Sequence, residues 1–145
     1  AELQQMTCDG LTAPLPVFRE LAQRMHRRGL IVVLSDLLTA TEETLRALKY
    51  FVHHKHEVIV FQVLDPSEIS LEGAGEVIYR DMESGRWVQA NAWEVKPAYD
   101  SRMQGLIGEL RRSCREARID YQLVSTDTPF DRALYAFLEK RMRLG

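Results

Sequence analysis

Two runs of this chain, "LIVVLS" at residues 30 to 35 and "EVIVFQVL" at residues 57 to 64, are apolar at nearly every position rather than at alternate ones. A strand that is apolar on both faces has to be covered on both faces, which happens when a parallel sheet lies between layers of helices. Both runs are therefore expected at the centre of such a sheet. Each is followed directly by an aspartate, Asp36 and Asp65. Ligands of open α/β sheets bind just outside the carboxyl ends of the strands, so these first polar side chains are the first candidates for function.

The segments between the runs read as crossover helices. Residues 15 to 28 place Val17, Phe18, Leu21 and Met25 on one face and end at Gly29, expected as the left-handed residue after the helix. In "TATEETLRALKYFVHHK", Thr39 or Thr41 is the expected cap, Glu42 and Glu43 lie in the positively polarised first turn, and Leu45, Leu48 and Val52 form the buried stripe. After the second strand, "EVIYRDMESGRWVQA" at residues 76 to 90 predicts a β-hairpin around Ser84 and Gly85, inserted into the crossover. A helix is expected to start near Pro97, with Tyr99, Met103, Leu106, Ile107, Leu110 and Cys114 at spacings of three and four. The third strand, "DYQLV" at residues 120 to 124, alternates polar and apolar residues and is expected at a sheet edge. A last helix follows from Pro129 with Phe130, Leu134, Phe137 and Leu138 on its face. The fold class is α/β, parallel strands flanked by helices with a hairpin insertion, and residues 1 to 145 read as a single domain.

At 145 residues and 46% hydrophobic composition the chain can bury a core without staples. A net charge of −2 gives no global field for nucleic acid or an acidic membrane surface. The absence of an apolar run near 18 residues and of a charged-then-apolar leader argues against a membrane span or signal peptide. Cys8 and Cys114 have neither disulfide-framework nor zinc-site spacing, so a cytoplasmic location is expected, with Cys114 packed in the core. The chain opens on "AELQQM" without a methionine, and it is expected to be a piece of something longer.

Asp36, Asp65 and Asp127 each fall at the end of a strand, where carboxylates with Ser35 and Ser125 would suit a hard cation such as Mg²⁺. The structural roles open to them are a turn before Pro66 for Asp65 and a helix cap for Asp127. His53, His54 and His56 crowd a helix end, where the helix dipole already favours them without a metal. Trp87 and Trp93 flank the hairpin's second run, as packing or as a partner surface. No nucleophile elbow, phosphate loop or zinc-protease motif is present.

The blocks "RRGLIVVLSDLL", "HHKHEVIVFQVLDPSEI", "YRDMESGRW" and "IDYQLVSTDTPFDRALYAFLEKRMRLG" together resemble the C-terminal half of the bacterial domain-of-unknown-function family 58, over nearly the whole chain from about Gly10. That family resembles von Willebrand factor A domains, and its members are often encoded beside MoxR-type AAA+ ATPases. The resemblance implies a partial von Willebrand factor A-like, Rossmann-type three-layer fold. It also implies a metal-ion-dependent adhesion site built from an Asp-x-Ser-x-Ser, a threonine in a second loop and an aspartate after the fourth strand. Asp36 matches that last aspartate, and Thr12 in "DGLTAPLPVFREL" falls where the threonine would be. The Asp-x-Ser-x-Ser is absent, "DPSEIS" having the wrong spacing and following the wrong strand. Lys55 stands where relatives tend to have glycine at the helix end.

The expected function is a non-enzymatic protein-interaction module that works with a MoxR-type AAA+ ATPase through a divalent ion, Mg²⁺ or similar, in the full-length protein. The site is incomplete in this chain, which is expected to hold no ion tightly. The rivals are a Mg²⁺-dependent phosphohydrolase using the strand-end aspartates and a scaffold that needs no metal. The edge of the strand at 30 to 35, apolar and without lysine or proline, is expected to drive self-association unless residues 1 to 14 fold back over it.

Overall fold

The strand β2 (Glu57–Leu64) is the most deeply covered in the molecule, with Val58, Ile59, Val60, Gln62 and Leu64 all buried. It runs parallel between β1 (Leu30–Ser35) and β5 (Asp120–Ser125), giving the order β1-β2-β5. Register is continuous: Leu30 pairs with Glu57 through Ser35 with Gln62, and Ile59 pairs with Asp120 through Leu64 with Ser125. A computed structural model of the chain describes residues 14–25, 27–38, 42–73, 75–80 and 85–144. The elements are α1 (Pro14–Arg24), β1, α2 (Glu42–His53), β2, α3 (Pro66–Ile69), β3 (Glu76–Arg80), β4 (Trp87–Asn91), α4 (Ala92–Glu116), β5 and α5 (Phe130–Leu144).

One face of the sheet carries Ile31, Val33, Val58, Val60 and Tyr121, which pack with Leu48 and Phe51 of α2 and with Leu110 and Cys114 of α4. Phe18 of α1 joins this core edge-on to Phe51, with ring centroids 6.3 Å apart. The opposite face is covered in part by α5, whose Phe137 meets Phe61 at 5.2 Å. The result is the helix-sheet-helix layering that the apolar strands demanded.

Strand β1 has the open edge expected of the strand at 30 to 35 in this chain, rather than the central place that its apolar run taken alone suggests. Among the described residues β1 pairs on one side only, and its side chains alternate between buried Ile31 and Val33 and exposed Leu30, Val32 and Leu34 at 53%, 48% and 70%. A run apolar on both faces states that both faces can be covered; here α2 and α4 cover one, while α5 lies over β2. The alternating strand β5 is an edge, as its pattern predicted.

The hairpin forms as expected, with β3 and β4 antiparallel from Glu76 opposite Asn91 to Arg80 opposite Trp87. Gly85 supplies a φ of 69°, and Ser84 lies outside the described residues, as do Cys8 and the expected caps Thr39 and Thr41. Two helix boundaries differ from the spacing argument. Helix α1 ends at Arg24 rather than 28, and Gly29 is not left-handed; its N–H instead donates to His56 Nδ1 at 3.2 Å, tying the start of β1 to the start of β2. Helix α4 starts at Ala92, five residues before Pro97, because the Asn91 carboxamide accepts the Trp93 N–H at 3.1 Å and Ala92 N–H donates to the Gly75 carbonyl at 2.7 Å. Pro97 is carried inside the helix and leaves the Trp93 carbonyl without its usual donor.

Helices α2 and α4 end with the same pattern of backbone hydrogen bonds. After α2, His56 N–H donates to the Phe51 carbonyl and Lys55 N–H to the Val52 carbonyl, with Lys55 at φ 65°. After α4, Ile119 N–H donates to the Cys114 carbonyl and Arg118 N–H to the Arg115 carbonyl, with Arg118 at φ 57°. Both are Schellman closures with an apolar contact across them, His56 on Phe51 and Ile119 beside Cys114. Both place a side chain where glycine is preferred. Lys55→Gly and Arg118→Gly are each expected to raise unfolding stability by about 1 kcal/mol, nearly additively in the double variant. Urea unfolding followed by circular dichroism reads this, and no gain in either single variant would contradict it.

Candidate functional site

The carboxyl end of the sheet is shaped by the turn that follows β1. Ser35 Oγ accepts the Leu37 N–H and Asp36 Oδ1 accepts the Leu38 N–H, both at 3.2 Å. Between them Leu37 adopts φ 53° with its side chain buried in the main core. A left-handed leucine costs on the order of 1 kcal/mol, and the buried side chain together with two side-chain-to-backbone bonds holds it there. The consequence is that Asp36 is presented outward: its side chain is exposed, and among the described residues the turn engages only its Oδ1.

A buried polar bridge fixes this turn to the sheet. Gln62, wholly buried in β2, donates from Nε2 to the Asp36 carbonyl at 2.7 Å, and its Oε1 accepts the Tyr121 hydroxyl at 2.5 Å. Burial pushes the Tyr121 phenol up to about 12, against the pull of Arg111, whose guanidinium lies 6.0 Å above the ring. Tyr121 thus stays a donor, and all three strands are linked through one amide. The signal for this bridge was in the sequence as a lone glutamine in "VIVFQVL", but its partners lie 26 and 59 residues away.

The other two strand-end aspartates serve local structure. Asp65 caps α3, accepting from Ser67 N–H at 2.9 Å and Ser67 Oγ at 2.6 Å, while Glu68 returns a bond to the Asp65 N–H. Thr126 Oγ1 donates to Asp65 Oδ2 at 2.8 Å, joining the ends of β2 and β5. The Ser67 hydroxyl, the Ser67 N–H and the Thr126 hydroxyl hold the Asp65 carboxyl below its ordinary range, against a small opposing effect of burial. Asp127 accepts from Thr128 Oγ1 at 3.5 Å, and the residue before α5 is Pro129, so the expected cap of the last helix is not Asp127.

Asp36 is therefore not brought into one bonded cluster with Asp65 or Asp127, and Thr12 lies outside the described residues. Among the described residues no group of three or more His, Cys, Asp or Glu could hold a metal ion. What Asp36 offers a hard cation is the right chemistry, one exposed carboxylate, in less than the number of oxygens such an ion takes. The histidines diverge as well: His56 is buried and accepts from Gly29, whereas His54 donates from Nδ1 to the Tyr50 carbonyl and stacks on the Tyr50 ring at 4.0 Å. Cys114 is buried, and burial raises its thiol to about 11 despite nearby Lys49, which suits packing and not nucleophilic chemistry.

Beside the Asp36 turn lies a cleft of about 420 Å³ between Leu38 and α4, floored by Met103 and Leu106 and rimmed by Tyr99, Arg102 and Glu109. Its Tyr99 wall is fastened, since Tyr99 OH donates to the Glu68 carbonyl at 2.8 Å and burial, with Glu68 and Asp100 nearby, raises its phenol. The same stretch of α4 is pinned by Lys96, which donates to Ser70 Oγ and, at 2.6 Å, to the Leu71 carbonyl. Asp100 accepts from Ser70 Oγ and Leu71 N–H; burial opposes its ionisation, but these bonds and Lys96 outweigh burial and lower its carboxyl. No sequence spacing pointed to this cleft, because one wall comes from a loop and the other from a helix more than sixty residues later. Trp87 and Trp93 are both exposed, with Ile78 and Val88 of the hairpin.

A family profile described as "Protein of unknown function DUF58" matches residues 11–105. The chain is 39% identical over 62 residues to the uncharacterized protein Rv1480 of Mycobacterium tuberculosis, a match covering 41% of this chain and 18% of that protein. The uncharacterized protein Mb1516 of Mycobacterium bovis matches with the same figures. The uncharacterized protein MAV169 of Mycobacterium avium is 36% identical over 62 residues, covering 41% of this chain and 34% of that protein. These matches thus span about a third or less of the relatives' own length. No solved structure matches.

Proposed function

Because the chain belongs to the DUF58 family of proteins of unknown function, we propose that it is part of a von Willebrand factor A-like interaction module, non-enzymatic, that engages a MoxR-type AAA+ ATPase through a divalent ion held in part by Asp36. The observation that carries this reading is the geometry after β1, where a strained, buried Leu37 and two side-chain bonds project the Asp36 carboxylate outward at the carboxyl end of a parallel sheet. Backbone strain held in place by its surroundings is a recurrent feature of binding sites, which supports this reading of the Asp36 turn. The neighbouring cleft, apolar in its floor and carrying Arg102 and Glu109 at its rim, offers a partner side chain a seat next to the ion. Thr12 is the second proposed ligand, and the remaining oxygens would come from other parts of the full-length protein and from water.

In the full-length protein, Asp36→Ala is expected to abolish Mg²⁺-dependent capture of the ATPase while leaving the fold intact by circular dichroism. Capture that is unchanged in the variant would overturn the metal part of the proposal. For the 145-residue chain, calorimetry is expected to show no micromolar Mg²⁺ affinity, since one or two protein oxygens cannot offset the ion's reluctance to lose water. Membrane attachment plays no part in this reading; among the described residues no helix is long and apolar enough to cross a membrane.

A further inference from the structure

The parallel arrangement gathers cations at the amino end of the sheet, opposite the Asp36 turn. Leu30 pairs with Glu57 and Ile59 with Asp120, so the segments leading into β1, β2 and β5 arrive side by side, about 5 Å apart. Each carries an exposed cation just before its strand, Arg28, Lys55 and Arg118. Among the described residues no ion pair involves any of the three. Exposed Arg112 and Arg115 continue the row along the end of α4, and Lys49 of α2 lies close enough to act on the Cys114 thiol next to Arg115. Asp36 is about 20 Å away, at the far end of the six-residue β1.

Local structure does not account for this row. Lys55 and Arg118 hold φ of 65° and 57°, left-handed positions that glycine fills without strain. The negative ends of α2 and α4 are served as well by cations inside the last turn, where His53 and Arg115 already stand, and Arg28 lies four residues beyond the end of α1. Strained positions that nonetheless keep a functional side chain recur at binding surfaces. We infer that the amino end of the sheet is a second interaction surface, which receives an acidic segment of a partner polypeptide on Arg28, Lys55, Arg115 and Arg118. The class of partner follows from the charges beside the row. Exposed Glu57 and Asp120 open β2 and β5 two residues after Lys55 and Arg118, and exposed Glu116 adjoins Arg115. A phosphodiester backbone or an anionic lipid surface presents charge at every step, and so meets these carboxylates as well as the cations. A polypeptide can set its carboxylates over the cations and neutral residues over the acids, and an arginine fork pairs with a carboxylate through two parallel bonds.

The test is fluorescence anisotropy of the full-length protein with a labelled peptide of alternating glutamate and glycine, with circular dichroism as the folding control. Saturable binding below about 200 µM is expected, weakening as salt is raised. Lys55→Gly combined with Arg118→Gly is expected to raise the dissociation constant about tenfold or more. The same pair is expected to raise unfolding stability, so binding is lost while the fold gains, a combination that a merely structural role would not produce. Arg46→Ala combined with Arg132→Ala removes the same charge from elsewhere and is expected to leave binding unchanged. Oligothymidylate and vesicles of phosphatidylserine in phosphatidylcholine are expected to bind more weakly than the peptide at the same salt. No saturable binding of the peptide, an unchanged constant in the glycine pair, an equal loss in the Arg46 and Arg132 control, or tighter binding of oligothymidylate or the vesicles would overturn the inference. Binding is expected to be the same in EDTA and in Mg²⁺ at equal ionic strength. A peptide that needs Mg²⁺ would be seated at the Asp36 end instead, which overturns the inference without bearing on capture of the ATPase.

Discussion

Gln62→Leu is expected to lower unfolding stability by about 3 kcal/mol, although it replaces a polar core residue by an apolar one of similar size. The loss comes from the groups left behind. The Asp36 carbonyl and the Tyr121 hydroxyl both bond to the Gln62 amide, and each buried polar group deprived of its partner costs about 1–3 kcal/mol. Removing the second orphan should give part of the loss back: Gln62→Leu with Tyr121→Phe is expected to be more stable than Gln62→Leu alone. A double-mutant cycle by urea denaturation measures this coupling. If Gln62→Leu were neutral or stabilising, the bridge would not be what ties the Asp36 turn to the sheet. Should the turn loosen as expected, the outward setting of Asp36 goes with it, so under the function proposed above Gln62→Leu in the full-length protein is also expected to weaken the proposed ion-dependent contact.

The second large effect is expected at Phe51, where alanine should cost about 3–5 kcal/mol. Phe51 is wholly buried where α1, α2 and the sheet meet. Its ring takes edge-on contacts from Phe18 at 6.3 Å, Tyr50 at 6.4 Å and His56 at 6.0 Å. Truncation therefore opens a cavity and also removes the apolar contact of the Schellman closure that leads into β2. Since a domain of this size is stable by only about 5–15 kcal/mol, Phe51→Ala should lower the melting temperature sharply. Phe51→Leu, which keeps most of the volume, should cost much less. Equal losses for the two variants in thermal denaturation would show that the aromatic contacts, rather than the filled volume, hold this corner.

The sequence by itself determined the layered α/β architecture, because apolar runs of six to eight residues alternating with amphipathic stretches leave few other ways to bury both faces of a strand. The bounds of β1 and β2, the hairpin and the burial of Cys114 follow from patterns that span a few residues and can be read locally. Capping competes at the scale of a single side chain, which is why Asn91 outran Pro97 as the start of α4 and why the short α3 behind Asp65 escaped notice. Tertiary structure alone decided which face of β1 stays uncovered, since α5 lies over Phe61 of β2 and leaves Leu30, Val32 and Leu34 exposed, which nothing within "LIVVLS" foretells. It also decided that Asp65 faces Thr126 whereas Asp36 faces outward, and that Gln62 reaches both Asp36 and Tyr121. The physical reason is the same in each case: hydrophobic periodicity is a local property of the chain, while a hydrogen-bond partner is set by strand order and register, which bring together residues that no spacing relates.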